Sequence, residues 1–148
     1  MDGTHTDYQT RWLDLDVVYL PYNIGGNHWI MVHIDLQDDE IIMWDLMRSM
    51  TPFPTLESEL RLMTVVLSAL MHRAGVQVLR QTLPYMPWRI HQVTSAPQQS
   101  GSGDCGMFCV KYFEYDVTRS NMTSLTQDNI SFFREKLAIE MWANRSIF

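Results

Sequence analysis

The sequence predicts an α+β domain, and three observations lead there. A β-branched and aromatic run, a glycine turn and two apolar runs around a short polar connection fill residues 16–46. Apolar residues then recur at helical spacing over 56–75 and again from Cys105 onward. The resulting order is strands, helix, strand, helix, helix, which sets most of the strands apart from the helices. With 148 residues, one domain with a real hydrophobic core is within reach.

Each element has a local reason. "DVVYLPY" (16–22) is β-branched and aromatic and reads as a strand. "NIGGN" (23–27) is a turn, where Gly25 and Gly26 supply permissive backbone angles. "HWIMVHIDL" (28–36) is mostly apolar, so it is a strand buried on both faces. "QDDE" (37–40) connects it to the return strand "IIMWDL" (41–46), and the acidic stretch 35–40 is a solvated turn. A loop with two prolines covers 47–55. Over 56–75, Leu56, Leu60, Met63, Leu67, Leu70 and Ala74 form one helix face, widened by Val65 and Val66, and Gly75 fits the position that ends a helix. "RIHQVT" (89–94) is a short strand. Cys105, Phe108, Cys109, Tyr112 and Phe113 follow i, i+3, i+4, i+7, i+8, so Cys105 opens a helix. Thr126 caps the last helix, Asp128 suits its first turn, and Ile130, Phe133, Leu137 and Met141 line its inner face. The methionines fall mostly on core-facing positions.

Composition narrows the function classes. Hydrophobic residues make up 46% and aromatics 11%, which is globular rather than disordered. The net charge is -6 with no Lys/Arg-rich run, which argues against nucleic acid as a partner. Two cysteines four residues apart make neither a disulfide framework nor a zinc finger, so they read as free thiols of a reducing compartment, nuclear or cytoplasmic. No apolar run reaches the ~18–20 residues that span a bilayer. "MDGTHTDYQT" is polar and acidic, unlike a signal peptide.

The chemistry concentrates around "QQSGSGDCGMFC" (98–109). A thiol becomes a strong nucleophile when ionised, and the free N–H groups of a helix start favour that form. Cys105 meets this condition, yet it also fits as a small residue at the start of a buried helix. A base is needed, and His28 stands at the mouth of a strand directly after "GGN"; otherwise it is a turn histidine. The base needs an orienting group. If strands 28–36 and 41–46 pair through a tight turn, Asp45 lies opposite His28, and a partner there relieves the cost of burying its carboxylate. Alternatively Asp45 only caps its strand. An oxyanion donor completes the set, for which the Cys105 N–H and either Gln98 or Gln99 are available. Asp104 reads as a capping or anchoring carboxylate, and Cys109, one turn below Cys105, as a core thiol.

Taken together, "VVYLPYNIGGNHWIMVHIDL", "MWDL" with its Asp seventeen residues after the His, and "QQSGSGDCGMFC" with a Gln six residues before the Cys resemble the ubiquitin-like-protein (SUMO) protease family, over roughly residues 12–144. The resemblance implies a papain-like cysteine protease fold with a small mixed sheet packed against helices. It implies a base His28, its orienter Asp45, a nucleophile Cys105 and an oxyanion donor Gln99 rather than Gln98. Trp29 matches the residue that helps form a narrow channel for a Gly-Gly tail. The implied partners are a SUMO-type modifier and its lysine conjugates, with no metal or other cofactor and neither nucleic acid nor membrane. The implied organisation is a short N-terminal tail, 1–15, and a partial catalytic domain, 16–148. Family domains carry a further N-terminal segment with a second channel Trp, a role that Trp12 is too near His28 to fill. An alternative is therefore a truncated module that binds a ubiquitin-like tail without cleaving it. A third reading, a thiol oxidoreductase, needs a Cys105–Cys109 bond that helical spacing disfavours.

Overall fold

A computed structural model describes residues 14–73, 86–101 and 103–143. Four strands, β1 (Val17–Ile24), β2 (His28–Asp35), β3 (Glu40–Trp44) and β4 (Arg89–Gln92), form one sheet in the order β1-β2-β3-β4. Among the described residues three helices, α1 (Phe53–Arg73), α2 (Cys105–Val117) and α3 (Ile130–Ala143), join the strands in an α+β architecture. The sheet is mixed: β4 runs parallel to β3, with Ile41 opposite Ile90 and Met43 opposite Gln92. β1 extends past the expected end at residue 22 and includes Pro21, which an edge strand tolerates because its outer N–H needs no partner. The turn that follows uses Gly25 and Gly26 at φ 58° and 81°, and Asn27 N donates to Ile24 O at 3.3 Å.

The chain forms two compact units. The first comprises Met1–Leu20, Val32–Met43 and Ser49–Gln92. Its core is built from Val32, Ile34, Ile41 and Met43 of the strand segments, Leu36 just after β2, Leu56, Leu60, Leu67 and Met71 of α1, and Trp88. α1 packs on β4. The connection after β2 is stapled by Asp35, whose Oδ1 accepts from Gln37 N at 2.8 Å and Asp38 N at 2.9 Å.

Two expectations about α1 need correction. It begins at Phe53 rather than 56, because Pro54 sits in the first turn, where a missing N–H costs nothing. Its buried face is Leu56, Leu60, Thr64, Leu67, Ser68 and Met71. Leu70, Val65 and Val66 are exposed instead, since two small polar residues complete the inward stripe. Ala74 and Gly75, the expected end of this helix, lie outside the described residues, as do Trp12 and most of the 1–15 tail.

The second unit comprises Pro21–Met31, Trp44–Arg48 and Val93–Phe148. Ile24, Ile30, Met31, Leu46, Ala96, Met107, Phe108, Cys109, Tyr112, Leu125 and Ile130 form its core. In α2 the expected Phe108, Cys109 and Tyr112 are inside, but Phe113 is outside and Met107 and Lys111 are inside. Lys111 is buried because Glu114 pairs with its ammonium and the Phe133 ring lies 4.5 Å from it. A 3-10 turn, Gln127–Asn129, opens α3: Asn129 Oδ1 accepts from the Thr126 N–H at 3.0 Å, the reciprocal bonding of a capping box. Ile130 is buried and Phe133 and Leu137 are half-buried, but Met141 is 67% exposed. Among the described residues α3 packs on α2, and its fully buried side chain is Ile130 at its start. Met31, Met43, Met71 and Met107 are core residues, whereas Met50, Met86 and Met141 are exposed.

Candidate active site

All five residues singled out from the sequence, His28, Trp29, Asp45, Gln99 and Cys105, fall in the second unit. His28 is the first residue of β2, and Asp45 follows the last residue of β3. β2 and β3 are sheet neighbours, so the start of one lies beside the end of the other. His28 Nε2 lies 2.9 Å from Asp45 Oδ1, and both residues are buried, at 1% and 0% exposure. The same Oδ1 accepts from Met47 N at 2.8 Å. A carboxylate with no water around it is stable only with such partners, so burial itself favours the His–Asp contact. An ionised Asp45 accepts only, so Nε2 carries the proton and Nδ1 is the nitrogen left for proton exchange.

The chain from Val93 to Gln99 is tied to the residues around Asp45. Arg48 donates to Val93 O at 3.4 Å and to Ala96 O at 3.2 Å. Tyr112 OH donates to Pro97 O, and burial pushes this phenol well above its ordinary range, so it stays a donor. Gln98 Nε2 donates to Asp45 O at 2.8 Å and Ala96 O at 3.1 Å, while its Oε1 accepts from Arg48 N at 3.1 Å. Gln99 N donates to Leu46 O at 2.9 Å. The two glutamines therefore differ. The Gln98 amide is spent on backbone, whereas Gln99 Nε2 meets Met47 Sδ at 3.2 Å, a weak acceptor, and Gly101 O. Among the described residues Gln99 Oε1 is buried without a hydrogen-bond partner.

Cys105 is the first residue of α2 and half-buried, behind a loop whose Gly103 adopts φ 87°. Cys109 is buried, and burial first, then the neighbouring Cys105 and Asp45 charges, push its thiol up to about 12. It is held as a neutral core thiol. Asp104 stands at the N-cap position, yet its side chain makes no cap bond. It accepts from Gln127 Nε2 at 2.7 Å and from Arg134, so of the two roles expected for it, anchoring is the one it performs. Trp29, next to His28, is 39% exposed, with its indole at the protein surface.

The family model for the Ulp1 protease family, C-terminal catalytic domain, matches residues 1–145. The chain belongs to this family. It is 26% identical over 138 residues to a sentrin-specific protease of Caenorhabditis elegans, covering 89% of this chain and 18% of that protein. To the ubiquitin-like-specific protease ESD4 of Arabidopsis thaliana it is 24% identical over 132 residues, covering 87% and 24%. The chain thus spans about a fifth of the length of these relatives. Among solved structures it is similar to the C-terminal Ulp1 protease domain in complex with Smt3, the yeast ortholog of SUMO, with TM-score 0.56 and 21% identity over 81% of this chain and 49% of that one. It is also similar to the SUMO protease Ulp1 with its catalytic cysteine oxidised to a sulfenic acid, with TM-score 0.60 and 19% identity over 84% and 51%. These structural likenesses establish the fold.

In this Ulp1-family chain the sequence pattern missed the bonds that tie the site together, including the bonding roles of Gln98 and Tyr112, which it had named for other reasons. Gln98, Arg48, Tyr112, Gln127 and Arg134 all act through bonds between distant stretches, and no local spacing signals them. Among the described residues no cluster of three His, Cys, Asp or Glu side chains could hold a metal ion. No described helix is long and apolar enough to cross a membrane. What the unit offers is a buried His–Asp contact, a thiol at a helix start and a side-chain amide on the loop before it, residue types that acyl transfer through a thioester uses.

Proposed function

We propose that this chain is a cysteine peptidase that cleaves after the Gly-Gly tail of a SUMO-type modifier, releasing it from lysine side chains or trimming its precursor. The carrying observation is the buried His28–Asp45 contact of 2.9 Å in the same unit as Cys105. Membership of the Ulp1 family supports the reaction class. The names of the matched relatives and the Smt3 complex of a structural neighbour support the modifier class.

In this reading Cys105 thiolate attacks the terminal glycine carbonyl. The negative charge on its oxygen is met by the Gln99 amide and the Cys105 N–H. His28, held by Asp45, passes a proton to the leaving lysine amine, and a thioester remains. Water activated by His28 then attacks the thioester, releasing the modifier and restoring the thiol. Trp29 walls a channel that only glycine is thin enough to pass. This chemistry calls for no metal or other cofactor. Two free thiols fit a nuclear or cytoplasmic setting.

A SUMO-type modifier ending in a Gly-Gly vinyl sulfone tests the reading. The wild-type chain should form a covalent adduct, and Cys105→Ser should form none. His28→Ala should abolish turnover with circular dichroism unchanged, since Asp45 keeps its bond to Met47 N. Non-covalent retention of the modifier without capture would establish the tail-binding module instead. Undiminished hydrolysis by His28→Ala would remove the assigned base.

A further inference from the structure

Asp104 directly precedes the candidate nucleophile and turns its carboxylate away from its own helix. A carboxylate at an N-cap ordinarily accepts from the free N–H groups of the first turn. Asp104 makes no such bond. Its Oδ2 accepts from Gln127 Nε2 at 2.7 Å, and its Oδ1 accepts from Arg134. Each donor also reaches a second point on the loop. Ser100 N donates to Gln127 Oε1 at 3.0 Å, and Arg134 donates to Gly103 O at 3.2 Å. The Gln127 amide therefore bridges both ends of the stretch that separates Gln99 from Cys105.

The stretch needs a bridge. Gly101 and Gly103 leave its backbone free, and Gly103 sits at φ 87°. The bracing arm is itself fixed. Gln127 lies in the 3-10 turn locked by Thr126 and Asn129, Ile130 behind it is 1% exposed, and Arg134 follows seven residues later on the same side.

We propose that Gln127 and Arg134 are positioning residues: they set the separation between the Gln99 amide and the Cys105 thiol by clamping Ser100, Gly103 and Asp104 onto the start of α3. The proposal rests on the peptidase reading above. The Arg134 side chain is 57% exposed, so its ion pair with Asp104 adds little to stability, and its removal leaves the fold in place. The effect falls on geometry, and displacing an oxyanion donor by about 1 Å costs up to roughly a hundredfold in rate.

The experiment uses the full chain, a SUMO-type modifier with a fluorogenic amide after its Gly-Gly tail, and amide hydrogen exchange at Ser100. Gln127→Ala and Arg134→Met should each lower kcat by about 10–100-fold. KM should stay within about twofold, because binding of the ground state is untouched. Melting temperatures should hardly move. Arg134→Lys should recover most of the kcat, since an ammonium still reaches Asp104. Ser100 exchange should accelerate in Gln127→Ala. Unchanged kcat in both removals overturns the proposal, as does a loss that Lys fails to recover. A wild-type chain that neither cleaves nor reacts with the vinyl sulfone sinks the peptidase reading instead. The clamp is then decided by Ser100 alone: faster exchange in Gln127→Ala upholds it and unchanged exchange removes it.

Discussion

Gln98 and Gln99 carry the same amide to different ends. Gln98 spends its own on Asp45 O, Ala96 O and Arg48 N, next to the His28–Asp45 contact, while Gln99 donates its own to Gly101 O and Met47 Sδ, on the loop that leads to Cys105. Gln99→Ala should therefore lower kcat by ~10²–10³, the scale of a lost oxyanion donor. Gln98→Ala should leave kcat within a few-fold and lower the unfolding free energy by roughly 1–2 kcal/mol, read from the urea midpoint. Equal rate losses would show that the wrong glutamine bears the role. At this scale the sequence was readable where chemistry and hairpin geometry coincide. His28 and Asp45 lie 17 residues apart across one connection, and their contact follows from that pairing. Gln98 was unreadable because its partner Asp45 is 53 residues away. Lys111 was unreadable for another reason. A cation is assigned to solvent by type, and only the Glu114 and Phe133 contacts make its burial tolerable.

The elements were legible in kind and order, and their faces less so. α1 carries Leu, Val and Met on nearly every side, so periodicity establishes a helix without choosing its inner stripe. The choice falls to packing, which takes Leu60 at 1% exposure and leaves Leu62 at 73%. Leu60→Ala should cost about 2–5 kcal/mol and Leu62→Ala less than about 0.5 kcal/mol, both measured by urea unfolding. Similar losses at both positions would contradict the observed face. α3 shows the same limit. The start signal at Thr126 was readable because the capping is local: its N–H donates to the side chain of Asn129, three residues on. Met141, however, sits on the expected stripe and is left exposed because the apolar anchoring ends before it.

For the molecule as a whole, folding holds two acidic groups protonated. Burial moves the Cys109 thiol from its ordinary 9.0 to about 12 and moves the Tyr112 phenol upward from 10.0. Each raised value means that the folded state binds the proton more tightly than the unfolded chain does. Their stabilisation is complete below pH 9 and fades as the pH climbs. Between 9.0 and about 12 the unfolding free energy should fall by up to ~1.4 kcal/mol per pH unit for Cys109 alone. Urea titrations at pH 8, 9.5 and 10.5 would read this slope, and Cys109→Ala should flatten its lower part. A flat profile in the wild type would mean that the thiol is not sheltered. The α+β class was readable from element order, and the family from three short motifs, because both are carried by local patterns. The division into two compact units was not, since each unit is assembled from separate stretches of chain. That assembly bears on the order of events during synthesis. Chains emerge N-terminus first, and loop closure delays distant contacts. His28 and Asp45, 17 apart, can meet early, whereas the bonds from Gln98 back to Arg48 and Asp45 span 50 and 53 residues. A nascent chain can thus close the His28–Asp45 contact before residue 105 has left the ribosome, so the two halves of the candidate site become available in sequence rather than together.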